Sequence, residues 1–262
     1  ATITPLRDLP DPARPLVAPA PPGGVWPGGG PHGPHAGSHG GDEVLDVGGL
    51  TAVLALWPAV GALVEDGALR LHTPLAAYGD EAAAGTPAGT TAHHLLTRPG
   101  GTAALVRLVE HLGGATLAEL ASVRVWNPLG MTRTRLTHDT LRAPLADLAL
   151  FLGHLLHPGA PASGVSAPAP LTRAWTAESL RIRTGELTPA RGLLWHPAPH
   201  GVWTHHAETD PGAAVWISPR RHRWAVLLPA VRGPLRTAFR EAVFTPGGSA
   251  RSGGAPGGIP RA

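Results

Sequence analysis

Leu45-Asp46-Val47-Gly48-Gly49-Leu50-Thr51-Ala52-Val53, running on into the apolar stretch Leu54 to Val64, is where the chain declares its organisation. Leu50, Val53, Leu54, Leu56, Trp57, Val60, Leu63 and Val64 are apolar nearly all round a helical projection, which predicts a buried helix over residues 49–65. Pro58 lies inside it and predicts a kink or a break, because proline has no N–H and its ring collides with the carbonyl four residues back. Asp66-Gly67 ends the segment, glycine supplying the left-handed cap.

Composition sets the limits around this helix. The 262 residues suffice for one large domain or two small ones. Gly (35) and Pro (30) concentrate at the two ends, which predicts an irregular arm over 1–41, a core domain over 42–245 and a flexible tail over 246–262. All 21 basic residues are Arg, Lys is absent, and there is one Tyr (Tyr78) and one Asn (Asn127), a usage expected of a GC-rich genome. A net charge of +3 with scattered Arg predicts no nucleic-acid partner. With no Cys there are neither disulfides nor thiolate metal sites, and no cofactor is expected. No run reaches the ~18 apolar residues of a membrane span. The expected location is the cytoplasm, with an exported chain whose leader has been removed as the alternative, since the sequence starts at Ala1.

Periodicity fills in the elements. Within the arm, Leu16-Val17 and Val25-Trp26 read as strand remnants between prolines. His32, His35 and His39 read either as a metal-binding tract or as a Gly/His-rich loop without fixed geometry. Residues 69–75 alternate and predict an extended segment. A short helix is expected over 91–97, a second over 103–112 with Leu105, Leu108 and Val109 on one face, and a third capped by Thr116. Pro144 opens a further helix over 145–156, as proline in a first turn often does. After residue 190 the period changes, and 201–205, 213–218 and 223–231 read as strands, the last two joined through Pro219-Arg220-Arg221-His222. A helix over 235–244 closes the domain. A helical region at 76–157 inserted ahead of antiparallel strands at 200–231 gives an α+β fold.

Five pieces, in this order, carry a family resemblance. They are Leu63-Val64-Glu65-Asp66-Gly67 with Leu69 and Pro74-Leu75; His94-Leu95-Leu96-Thr97; Trp126-Asn127-Pro128-Leu129-Gly130-Met131-Thr132; Ala146-Asp147-Leu148-Ala149-Leu150-Phe151; and Val215-Trp216-Ile217-Ser218-Pro219. Together, over 44–157 and 190–244, the chain resembles the serine β-lactamase and penicillin-binding-protein superfamily, on its class C-like, esterase branch. The resemblance implies a β-lactamase-like fold, antiparallel sheet flanked by helices, here truncated, and a small acyl or peptide-like ligand. It also implies a Ser at the start of a buried helix, a Lys one turn later that takes its proton, a Tyr-x-Asn loop, and a strand bearing Lys or His followed by Thr-Gly.

Position by position, this chain departs from that pattern. The Ser position falls on Gly49 and the Lys position on Ala52, and with no Lys anywhere a shifted alignment cannot restore the pair. The loop that would hold Tyr-x-Asn is shortened to Arg98-Pro99-Gly100-Gly101, while Tyr78 matches a structural position. The third element falls near residues 204–209, where His205 or His206 stands for the His and no Thr-Gly follows. A candidate pocket therefore comprises Gly49, Thr51, His205, His206 and Glu208, with no catalytic residue assigned.

His205, His206, Glu208 and Asp210 form the densest polar cluster, readable as a His–carboxylate or metal site or as a solvated strand end. Adjacent histidines on a strand point to opposite faces, so a bulge would be needed for both to serve one site. His93-His94 reads as structural, and Ser38, Ser163, Ser166, Ser249 and Ser252 all sit in Gly/Pro-rich segments. Three functions follow: a pseudoenzyme that binds a ligand or a protein partner of unknown identity, a hydrolase of an ester or amide using His206 with water or a metal, or a decaying gene product.

Overall fold

The expected helix is assembled from three pieces. Gly48–Leu50 forms a 3₁₀ turn, Ala52–Leu56 a π-turn, and only Trp57–Glu65 is regular α-helix, α1. Pro58 thus lies in the first turn of α1, where its missing N–H matters least, and the break falls ahead of it. Pro58 has no N–H to give the Leu54 carbonyl four residues back, and Trp126 Nε1 donates to that carbonyl at 2.9 Å. The proline that sequence reasoning takes as a kink is absorbed by the wider π-turn and a tryptophan from elsewhere in the chain.

The computed structural model describes residues 16–17, 44–138, 140–158, 169–185, 189–206, 212–230, 240 and 244. In chain order the elements are β1 (Leu16–Val17), β2 (Val44–Asp46), α1, α2 (Asp80–Ala83), α3 (Ala92–Thr97), α4 (Thr102–Gly113) and α5 (Leu117–Ala121). A second π-turn, Ser122–Trp126, leads to β3 (Arg135–Thr137), β4 (Thr140–Pro144), α6 (Leu145–Leu156) and α7 (Arg173–Ser179). The chain then enters β5 (His196–Ala198), β6 (Val202–His206), β7 (Gly212–Ser218) and β8 (Arg223–Ala230).

Two antiparallel sheets result, a five-stranded one ordered β1-β8-β7-β6-β5 and a three-stranded one ordered β2-β4-β3. Leu16-Val17 pairs with Leu228 and Leu227, so this strand remnant becomes an edge of the large sheet, while Val25-Trp26 lies outside the described residues. The large sheet buries both faces. Val215, Ile217, Trp224 and Val226 join the main core with Leu50, Leu54, Trp57 and Val60. Val202, Ala214, Trp216 and Ala225 pack with Phe244 on the other side. Arg240 and Phe244 are helical; the rest of the closing helix expected over 235–244 lies outside the described residues.

Local chemistry fixes the helix ends. Thr91 caps α3, its Oγ1 accepting the His94 N–H while His94 Nδ1 accepts the Thr91 N–H, each at 3.3 Å. Thr116 and Glu119 make the corresponding reciprocal cap on α5. At the start of α6, buried Asp147 accepts from Arg133 N at 3.0 Å and from Thr134 Oγ1 at 2.7 Å. Residues 69–75, expected to be extended, form turns instead. The Tyr78 hydroxyl accepts the Arg70 N–H at 2.8 Å and donates to the Arg70 carbonyl, serving groups that have no neighbouring strand. No helix among the described residues is long and apolar enough to cross a membrane.

Candidate functional site

The small sheet places the helix start. Val47 N–H donates to the Leu141 carbonyl at 2.8 Å just after β2 pairs with β4, which fixes where the chain leaves the sheet. Asp46 Oδ1 then accepts the Gly48 N–H at 2.9 Å, and Leu50 N–H closes the turn on the Val47 carbonyl. This turn packs against β4, β6 and β7, so Gly49 lies where the opening of α1 meets the large sheet. Gly49 and Ala52 are half-buried, and neither side chain can donate, accept or attack. Thr51 stands between them, and its hydroxyl donates to the Gly48 carbonyl at 2.8 Å.

Strand register separates the two candidate histidines. His205 pairs with Val215, whose side chain faces the main core alongside Leu50; His206 pairs with Ala214, on the face covered by Phe244. No bulge in the β6–β7 pairing brings them together. The sheet therefore brings His205 to the side of the helix start and carries His206 to the opposite face, 5.7 Å centroid to centroid from the ring of His196. Glu208 and Asp210 lie outside the described residues, as do His32, His35 and His39. Among the described residues no group of three His, Cys, Asp or Glu is placed to hold a metal ion.

His205 Nδ1 lies 2.8 Å from the Leu194 carbonyl. A carbonyl only accepts, so Nδ1 carries the proton and Nε2 the lone pair. Burial is the main force holding the imidazole pKa down to about 4; the bond to Leu194 opposes it, and the neighbouring His196 and Arg191 add to it. The ring is neutral at pH 7. Leu194 itself has φ of 63°, a left-handed conformation strained for a leucine, and its N–H is held by the Leu96 carbonyl at 2.9 Å. The backbone is thus bent to aim one carbonyl at one histidine, a feature with no signal in the sequence.

Among the described residues of this arrangement, no side chain is placed as an activated nucleophile. At the helix start no hydroxyl is hydrogen-bonded to an imidazole or a carboxylate side chain. Ser179 Oγ accepts from Trp57 Nε1 at 2.8 Å inside the core, and Ser218 is fully buried. Both are walled off from an incoming carbonyl.

No protein-family model and no curated protein matches the chain. Solved structures do. A β-lactamase from Mycobacterium bovis superposes with a TM-score of 0.63 at 20% identity, covering 91% of this chain and 96% of that one. The octameric penicillin-binding protein homologue from Pyrococcus abyssi gives 0.65 at 15% identity, covering 87% and 72%. A D-stereospecific amidohydrolase from a Streptomyces species gives 0.59 at 15% identity, covering 80% and 89%. At these identities the likeness establishes the fold. The chain has the α+β fold of the serine β-lactamases and penicillin-binding proteins, as the sequence resemblance implied.

Proposed function

We propose that this chain is a β-lactamase-fold protein that has lost acyl-enzyme hydrolysis and acts by binding a small acyl or peptide-like ligand beside Gly49. One observation carries the reading. The turn that packs the start of α1 against β6 and β7 presents Gly49, with Ala52 three residues on, in a chain that contains no Lys. Acyl transfer needs a nucleophile and a base within hydrogen-bond reach of each other. Removing such a nucleophile from a serine protease of another fold lowers kcat by roughly six powers of ten, leaving only what binding and oxyanion contacts supply.

A second reading is hydrolysis by His205, favoured by its neutral ring and protonated Nδ1. In that reading Nε2 would take a proton from water as the water oxygen attacks the ligand carbonyl. The depressed pKa works against it. An imidazole of pKa about 4 is always available at pH 7 but is a weak base, and general-base efficiency falls as the pKa drops below the working pH. Hydrolysis by His205 is therefore the less favoured reading.

The test pairs two measurements on the purified protein. Turnover of a p-nitrophenyl ester and of a chromogenic cephalosporin is followed for the wild type and for His205→Ala, and penicillin and D-alanyl-D-alanine peptide binding is followed by calorimetry. The proposal predicts rates at the buffer background and saturable binding. Turnover that disappears in His205→Ala would replace it with the second reading.

A further inference from the structure

A cavity of about 390 Å³ opens between the C-terminal end of α3 and residues 183–185, 189 and 191. Its size is within the usual range for small-ligand pockets. Among the described residues, the ionisable side chains on its wall are all basic: His93, His94, Arg98, Arg183 and Arg191. Their pairing is uneven. Arg183 is committed, its guanidinium donating to the Glu178 carboxylate and to the Glu178 carbonyl. The side chains of Arg98 and Arg191 have no ion-pair or hydrogen-bond partner among the described residues. Glu178 is shared between Arg183 and Arg181, and Glu186 lies outside the described residues.

Further basic groups stand behind the wall. The ring of His72 lies 4.7 Å from that of His93. Burial first, then the proximity of His72, Arg183, His94 and Arg98, pushes the His93 pKa down, as expected where cationic groups crowd together. Parts of the wall are fixed by backbone contacts. Arg183 N–H donates to the Arg191 carbonyl at 2.7 Å, and Arg191 N–H donates to Thr184 Oγ1 at 3.0 Å, so the backbones of two of the three arginines are held side by side. Guanidinium forks match the paired oxygens of phosphoryl and carboxylate groups, and two uncommitted forks beside two imidazoles call for more than one negative charge.

We propose that this cavity is a binding site for a small organic polyanion, held by Arg98 and Arg191 with His93 at its wall. The proposal rests on the cavity's own arginines and not on whether acyl chemistry has been lost. Phosphoryl and polycarboxylate ligands share this chemistry, and the probes distinguish them.

Pyrophosphate and citrate are titrated calorimetrically into the full chain in a low-salt, phosphate-free buffer. Sodium chloride of matched ionic strength is the control. The expected result is saturable binding with a dissociation constant below a millimolar, and a rise in Tm of several degrees at saturating probe. The tighter of the two probes assigns the ligand group. Arg98→Gln with Arg191→Gln weakens binding at least tenfold. Arg124→Gln, whose guanidinium is paired with Asp66 and does not line the cavity, leaves it unchanged. Circular dichroism confirms that each variant is folded, and the His93 imidazole NMR titration moves to higher pH when the anion is bound. No saturable heat with either probe, an equal affinity in the double variant, or a response that follows ionic strength alone overturns the proposal.

Discussion

Trp126→Phe probes the device that lets a proline sit at the start of the central helix. Trp126 is 2% exposed, and its indole N–H reaches the Leu54 carbonyl at 2.9 Å, in the turn just before Pro58. Phenylalanine keeps most of the apolar ring and removes the donor. A buried carbonyl deprived of its partner costs about 1–3 kcal/mol, and the smaller ring adds a packing loss. For a domain of this size each kcal/mol lowers Tm by about 2–4 °C. The two contributions separate in a double-mutant cycle with Pro58→Ala. That substitution restores an N–H four residues beyond Leu54, able to serve the same carbonyl when the indole is gone. Trp126→Phe should then be less damaging in the Pro58→Ala background by about 1 kcal/mol or more. The assay is urea unfolding followed by far-ultraviolet circular dichroism, which does not depend on tryptophan emission. A coupling energy within about 0.3 kcal/mol of zero would refute the pairing of Trp126 with the proline's vacant donor position.

Acidification is the next perturbation. The folded pKa of His205, about 4, lies below its unfolded value of about 6.5, so between these pH values the unfolded chain binds more protons and stability rises with pH. Lowering the pH through that window removes on the order of 3 kcal/mol, and burial of His93 and His154 acts with the same sign. His205→Asn retains a donor for Leu194 and should flatten the slope, read from urea midpoints at pH 7, 5.5 and 4.5; an unchanged slope would contradict this. Gly61→Ala would ordinarily stabilise a helix by up to about 1 kcal/mol. Here the added Cβ would lie 2.6 Å from the Trp175 indole, itself stacked on Trp57, so a net loss of about 1–3 kcal/mol is expected, with an altered tryptophan emission. Asp147→Ala strips the partner from the Thr134 hydroxyl, which is fully buried, and from the Arg133 N–H, and should lower stability by about 2–3 kcal/mol in urea unfolding.

What could be read from the sequence was what is encoded locally. The apolar run after Gly49, the Thr116 cap before α5 and the proline before α6 each announce an element through neighbours only a few residues away. The three-stranded sheet escaped notice because its strands are three to five residues long and β2 finds its partner nearly a hundred residues later, at Thr140–Pro144. Residues 69–75 misled because alternation promises a strand only where a neighbouring strand exists to pair with.

At the candidate site, the lack of Lys and the identities of Gly49 and Ala52 are plain in the letters. Which face His205 takes depends on β6–β7 register, and its neutrality depends on the Leu194 carbonyl, neither of which leaves a local pattern. The cationic cavity was hidden for the same reason, since Arg98 and Arg191 are brought together only by folding.

Intact-mass spectrometry of the folded protein after incubation with a penicillin, and separately with a fluorophosphonate, bears most directly on the proposed loss of acyl-enzyme chemistry. With Gly49 and Ala52 at the helix start and no Lys in the chain, the predicted result is an unchanged mass in both incubations. A stoichiometric adduct of either reagent would contradict it, and peptide mapping of that adduct would name the nucleophile.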